Sequence, residues 1–181
     1  MGLELELESM SIEMPEVASH PNRVGFRGVL TYVDVASDAA PSGAKGHCVM
    51  LRREATERAL PSLLGMALDY APQLDRHDAR RKVGVITQAD LQKVEGRWSM
   101  DEVKPHAVSI SGFLYGRDFP ELVREMRAKG PAVLGMSYEI TDARIDDVAA
   151  NVWQVTDFTF TGAAVLRRDK AAYRGTWIEV Q

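Results

Sequence analysis

The sequence lacks the features that define several large classes of protein. Cys48 is its one cysteine, so no disulfide framework can form within the chain, and we expect an intracellular, reducing compartment. No apolar run reaches 18 residues, which argues against a membrane-spanning helix, and the acidic, alternating start MGLELELESM is unlike a signal peptide. Basic residues are also few: 22 Lys and Arg face 26 Asp and Glu, a formal net charge of −4. This balance argues against a general nucleic-acid binder.

Several catalytic and cofactor motifs are missing as well. The chain has no GxGxxG or Walker motif for nucleotides, and no GxSxG elbow of an α/β-hydrolase. No CxxC, HxH or HExxH spacing supports a metal site, so the sequence predicts neither a metal nor another cofactor. A metal-dependent hydrolase stays open only if His47, Cys48 and His77 converge.

The remaining composition is that of an ordinary globular protein. With 181 residues, 45% of them apolar, the chain can bury a core, and we expect a single domain over residues 1–181. Alternating apolar residues predict strands, and the predicted ranges are 3–8, 24–35, 47–51, 82–91, 107–115, 132–141, 152–161 and 175–180. Helices are predicted over residues 52–60, where Pro61 interrupts, and over 118–129 with Asp118 as N-cap, and a second helical turn is predicted over 62–70. Loops are predicted over 37–46, 71–82 and 95–104. Many strands with few helices predict an α+β fold built on a sheet or barrel.

Ser137 lies in a segment whose side chains alternate between two faces. Met136 and Tyr138 belong to the apolar face, so Ser137 and Gly135 share the other one. A serine in this position is accessible to an extended peptide, and Gly135 leaves space for another backbone to approach. The alternative is an ordinary strand serine that faces solvent, because a lone serine says nothing about its activation.

His77 and Asp157 are the candidates for activating this serine. Imidazole can take a proton from a hydroxyl near neutral pH and return it to a leaving amine, and His77 lies in a charged, accessible stretch. Asp157 is a carboxylate within a strand and could orient His77 as the third member of a serine-protease constellation. Their unreactive alternatives are a surface histidine in a basic loop and a solvent-facing strand residue. Glu139, on the Ser137 face, is the next candidate for the third role.

Taken in order, these segments resemble the phage prohead (procapsid) protease family. The resemblance is carried by ALPSLLGM at 59–66, by His77-Asp78 followed by KVGVIT at 82–87, and by Gly135-Met136-Ser137 after a helix and Gly130. The strand around Asp157 and the opening FRG at 26–28 extend it over residues 24–165. The family is similar in fold to the herpesvirus maturational protease.

The resemblance implies an antiparallel β-barrel with a few surrounding helices and the activity of a serine endopeptidase. Its substrates would be scaffold and capsid proteins cleaved during phage head maturation. Carried over, Ser137 is the nucleophile and His77 the general base. The herpesvirus enzymes use a second histidine as third member, but no histidine follows Ser137, so Asp157 takes that place. No cofactor is implied.

The same resemblance implies the partners and the location. We expect capsid and scaffold proteins as partners inside the procapsid, in the host cytoplasm, with no nucleic acid and no membrane, and a homodimer is compatible with it. The alternative is a catalytically inactive protease-like binding or assembly module of a prophage capsid system. In that case Ser137 and His77 would both be present but too far apart to react.

Overall fold

The computed structural model of the chain describes residues 10–11, 20–94 and 105–181. The strands of this part are β1 (Met10–Ser11), β2 (Arg23–Val33), β3 (Cys48–Leu51), β4 (Ala67–Asp69), β5 (Lys82–Lys93), β6 (His106–Tyr115), β7 (Leu134–Ile145), β8 (Val152–Arg167) and β9 (Trp177–Val180). The helices are α1 (Arg53–Ala59) and α2 (Pro120–Lys129), and a 3₁₀ turn covers Leu60–Leu63. The strand predicted at 3–8 and the turn predicted at 95–104 lie outside the described residues.

The nine described strands belong to one mixed sheet. Along the sheet the order is β7-β8-β4-β5-β6-β2-β9, with β3 paired to β8 beyond the end of β4 and β1 paired to β5. Most neighbours are antiparallel, but β8 runs parallel to both β3 and β4. The sheet curls into a half-barrel, with α1 packed against β8 and α2 against β9. The α+β prediction is confirmed, and the prediction of a closed antiparallel barrel is wrong.

The two end strands of the half-barrel, β7 and β9, are joined by a side chain and not by a backbone ladder. Thr176, which directly precedes β9, is fully buried. Its Oγ1 accepts a hydrogen bond from the Met136 N–H of β7 at 3.1 Å and lies 3.2 Å from the Met136 carbonyl oxygen. No backbone ladder joins β7 to β9 within the described ranges. A hydroxyl therefore takes the place of a strand partner at this seam.

One large apolar cluster fills the inside of the curl. Its fully buried side chains come from strands far apart in the chain, including Phe26, Leu68, Leu114 and Phe160. Met136 is also buried in it, so the alternate residues of β7 face the outside of the sheet. That outer face carries the candidate site.

Two helical predictions are corrected by the structure. The helical turn predicted over 62–70 does not extend past the 3₁₀ turn that ends at Leu63, because Gly65 adopts a positive φ of 80° and the chain then forms β4 between β5 and β8. Asp118 does not cap α2, which begins at Pro120 with Phe119 as the preceding residue. The Asp118 carboxylate instead accepts a hydrogen bond from Asn22 Nδ2 at 2.8 Å. In the described part of the chain, no helix has the length and apolar composition to cross a membrane.

Candidate functional site

A row of directly paired residues crosses three strands on the outer face of the sheet. Ser137 of β7 pairs with Ala164 of β8, and Ala164 pairs on its other side with Asp69 of β4. Paired residues point to the same face, so the Ser137 and Asp69 side chains flank the small Ala164. With strands about 4.8 Å apart, their Cα atoms are roughly 10 Å apart. This spacing leaves room for a third side chain above Ala164.

The neighbouring row contains Glu139 and Gly162. Glu139 of β7 pairs with Gly162 of β8, two residues along from Ser137 and Ala164. A Cβ placed on Gly162 would lie 2.7 Å from Glu139 Oε2 and 3.1 Å from the Ala67 carbonyl oxygen. The missing side chain therefore allows the Glu139 carboxylate to bend over the sheet toward β4.

The loop between β4 and β5 brings His77 above these rows. Leu74 is buried, and its carbonyl oxygen accepts a hydrogen bond from the Arg167 N–H at 2.8 Å. The N–H of Asp78 donates to Asp69 Oδ1 at 3.1 Å. These two bonds hold the loop against β8 and β4 on either side of His77.

The His77 ring reaches two carboxylates through one nitrogen. Its Nδ1 lies 3.1 Å from Glu139 Oε1 and 3.9 Å from Asp69 Oδ2. The shorter contact lacks the angle of a hydrogen bond and the longer one exceeds its distance, while Nδ1 itself is shielded from solvent. Because Nδ1 faces the carboxylates, Nε2 is the nitrogen left for a further partner.

Asp69 is an ionised carboxylate inside the protein. Its side chain is completely buried, and the Lys82 ammonium lies 3.4 Å from Oδ2. Burial by itself raises the pKa of Asp69, but His77, the Asp78 amide and Lys82 outweigh it and hold this pKa below its ordinary value. A fixed negative charge therefore lies beside the His77 ring.

Ser137 lies on the same face as His77 and next to its carboxylate partner. It is two residues from Glu139, about 7 Å along the strand, and it is half-buried. Within the described residues no hydrogen bond joins Ser137 Oγ to His77. The structure therefore brings the two residues to one patch, and their direct contact stays a prediction.

A shallow cleft opens beside Ser137 at the outer edge of β7. It is lined by residues from separate segments, among them Leu30, Pro41 and Tyr173. The Met136 backbone N–H points away from β8 and donates to Thr176. Because backbone groups alternate in direction along a strand, the Tyr138 N–H and C=O also point away from β8. The space predicted above Gly135 is filled, because a Cβ there would lie 2.7 Å from Thr176 Oγ1.

Asp157 does not lie beside His77, and the prediction that it is the nearest carboxylate is wrong. Its side chain is half exposed, and its ion partner is Arg58, with Nη2 3.7 Å from Oδ1. Asp157 lies five residues before Gly162 on β8, roughly 16 Å along the strand. Glu139 and Asp69 occupy the positions around His77 Nδ1.

The hypothetical metal set of His47, Cys48 and His77 does not form in the described part of the chain. His47 stacks on Trp153 at 4.5 Å between ring centroids, and its Nδ1 lies 3.0 Å from the Ala150 carbonyl oxygen. Cys48 pairs with Val152 at the start of β8, whereas His77 lies over the other end of that strand. The length of β8 separates the two groups.

Sequence reasoning missed Asp69. The segment containing it was predicted to be helical, which hid its position at the end of a strand. The available signal was a single acidic residue in the apolar run MALDY, directly before the loop that contains His77. A buried strand that ends on a carboxylate is unusual enough to mark a candidate site.

The assembled groups support two kinds of chemistry. A histidine flanked by carboxylates can accept a proton at Nε2 and be stabilised once it is charged. Asp69, His77 and Glu139 also offer three metal-ligating atoms within 4.8 Å of one another. Comparison of the chain with protein-family models, curated proteins and solved structures gave no match.

Proposed function

We infer that this protein is a serine endopeptidase of the phage prohead protease type, which cleaves scaffold and capsid proteins during head maturation. The observation that carries this proposal is the position of His77 between Glu139 and Asp69, on the sheet face that holds Ser137. The sequence resemblance implied Ser137 as the nucleophile and His77 as the general base independently of that geometry.

In the proposed reaction Ser137 Oγ attacks the carbonyl carbon of the scissile peptide bond. His77 Nε2 takes the hydroxyl proton and later transfers it to the leaving amine. Glu139 acts through Nδ1: it holds the ring orientation and stabilises the imidazolium that forms. Asp69 adds a second, fixed negative charge at 3.9 Å from Nδ1. The role that the sequence assigned to Asp157 passes to Glu139.

The proposed substrate binds as an extended strand beside β7. The edge at Tyr138 has no strand partner in the described ranges, so its N–H and C=O are available to a peptide. A peptide on that edge would run past Ser137, which is one of the residues that line the cleft. Scaffold and capsid proteins would meet the enzyme inside the procapsid, in the host cytoplasm.

The test is incubation of the protein with its cognate capsid and scaffold proteins. We expect the wild type to cleave them and Ser137→Ala and His77→Ala to leave them intact. Ser109→Ala is the matched control, because Ser109 is also a half-buried serine within a strand, on β6. Cleavage that persists in Ser137→Ala would overturn the proposal.

A second candidate function is an inactive protease-like assembly module. The observation that favours it is the absence of a Ser137–His77 hydrogen bond among the described residues. A serine-directed fluorophosphonate separates the two functions, because it labels only an activated hydroxyl. Labelling of the wild type that is lost in His77→Ala supports the enzyme. Binding of capsid protein without labelling supports the module.

A further inference from the structure

We propose that Asp69, His77 and Glu139 form a zinc-binding site, and that zinc bound there switches the proposed peptidase off. The metal-binding part stands on the side-chain geometry alone. The effect on activity rests on the proposed function.

The ligand atoms already lie close to the spacing that a zinc ion requires. His77 Nδ1 is 3.1 Å from Glu139 Oε1 and 3.9 Å from Asp69 Oδ2, and the three groups lie within 4.8 Å of one another. Zinc bonds of about 2.0–2.2 Å to nitrogen and oxygen place neighbouring ligands some 3.3–3.5 Å apart in a tetrahedron. Side-chain shifts of less than about 1 Å would bring the three side chains into three of the four ligand positions around zinc, and a water molecule can supply the fourth ligand.

The His77 nitrogen itself points to a missing ligand. Nδ1 is shielded from solvent and has no hydrogen bond of acceptable geometry, although a carboxylate oxygen is only 3.1 Å away. A buried ring nitrogen that faces two carboxylates without a well-aligned hydrogen bond to either is rare, and a cation held between this nitrogen and the two carboxylates would satisfy all three groups. The backbone of β8 also accommodates this arrangement, because only a glycine at 162 leaves room for Glu139 Oε2.

One nitrogen and two carboxylates favour zinc over magnesium. Magnesium prefers six oxygen ligands and retains its waters, whereas zinc accepts mixed nitrogen and oxygen ligands in a four-coordinate site. The charges of Asp69 and Glu139 together balance a divalent ion. Lys82 competes for Asp69 at 3.4 Å, but its side chain is 41% exposed and can turn into solvent.

Zinc bound at His77 Nδ1 would affect catalysis because it determines whether the other ring nitrogen, Nε2, holds a proton. Zinc takes the lone pair of Nδ1, so the ring proton of the neutral imidazole resides on Nε2. An Nε2 that already holds a proton cannot accept one from Ser137 Oγ. The ion would thereby remove the general base without touching the nucleophile, and chelation would restore it.

Calorimetric titration of the full chain with Zn²⁺ tests the site without any substrate. We expect one ion per chain, and we expect His77→Ala and Glu139→Gln to weaken binding at least about tenfold. Lys82→Gln removes the competing ammonium and should tighten binding about two- to fivefold. His47→Ala is the control, because His47 is a half-buried histidine next to Cys48 that lies outside the proposed site. Mg²⁺ should not bind at the same concentration.

The nitrogen that binds can be identified directly. Long-range ¹H–¹⁵N spectra of the histidine side chains should shift His77 Nδ1 on zinc addition and leave its Nε2 protonated. Unchanged thermal unfolding of metal-free Glu139→Gln would verify that this variant folds. Binding that is lost in His47→Ala but kept in Glu139→Gln would overturn the assignment.

Activity assays then test the switch separately from the protease proposal. Peptide cleavage should fall in proportion to zinc occupancy and return on addition of a chelator. Full activity at zinc saturation would overturn the inhibitory role. Absence of zinc binding in an active protease would overturn the site and leave the proposed function standing. Zinc binding by a chain without peptidase activity would support the site and contradict the proposed function.

Discussion

Glu139 and Asp157 are both strand carboxylates, but only one of them can act on His77. Glu139 contacts Nδ1 at 3.1 Å, while Asp157 faces Arg58 and lies five residues before Gly162 on β8. Glu139 and Asp157 can therefore serve as test and control for the carboxylate that orients His77 in the proposed mechanism.

We expect Glu139→Gln to lower kcat for peptide cleavage by about 10²–10⁴, because the neutral amide neither fixes the ring nor stabilises the imidazolium. KM should change little, and Glu139→Asp should restore part of the rate. Asp157→Asn should cleave at the wild-type rate. Steady-state kinetics on a capsid-derived peptide measure all three variants, and an equal loss in Asp157→Asn would contradict the assignment of Glu139.

Asp69 links the site to the pH dependence of stability. Its pKa is lower in the folded protein than in the unfolded chain, so its ionised form stabilises the fold above about pH 4. This contribution is lost as the pH falls through the lower, folded-state pKa. We therefore expect the free energy of unfolding to decrease less steeply on acidification in Asp69→Asn than in the wild type. Urea unfolding between about pH 2 and 6 measures both curves, and parallel curves would refute this expectation.

Among the elements, β7 is the strand whose side-chain orientation the sequence predicts best. Its alternation predicts that Met136 faces the core and Ser137 the opposite side, because the period of a strand is a local property. The position of Asp157 could not be predicted in this way. Nothing in the local sequence says which half of the 16-residue β8 lies beneath the His77 loop. That choice depends on pairing with β4, a three-residue strand too short to carry a periodic signal.

The seam between β7 and β9 depends on a single hydroxyl. Thr176→Val keeps the shape of the side chain but leaves the Met136 N–H buried without an acceptor. We expect this change to cost about 1–3 kcal/mol of unfolding free energy. Thr176→Ser, which retains the hydroxyl, should recover most of the loss. Chemical denaturation compares the two variants, and equal stabilities would show that the seam does not depend on this bond.

At the scale of the whole molecule, two groups of strands are joined within the sheet by one short strand, β4. β7 and β8, with β3 paired to β8, form one group, and β5, β6, β2 and β9, with β1 paired to β5, form the other. One apolar cluster nevertheless spans both groups across the inside of the curl. Because burial in a shared core outweighs a few ladder bonds, we expect the two groups to unfold together.

Leu68 of β4 is the residue at which to test this cooperativity, since it is fully buried and pairs toward both groups. We expect Leu68→Ala to cost about 2–5 kcal/mol. Leu114→Ala, an equally buried leucine on β6, is the matched control. Variants that retain only Trp153 on β8 or only Trp177 on β9 report each group by fluorescence. The two probes should give coincident transitions in every background, and separate transitions in Leu68→Ala would contradict the expectation that the two groups unfold together.

The order of the strands along the chain also sets a sequence of events during synthesis on the ribosome. Asp69 and His77 are translated early, but the strand residue that Asp69 pairs with, Ala164, is added 95 residues later. Glu139 and its partner Gly162 likewise await β8. A nascent chain therefore has no assembled carboxylate–histidine group until β8 has emerged, so the growing polypeptide would be protected from its own proposed activity.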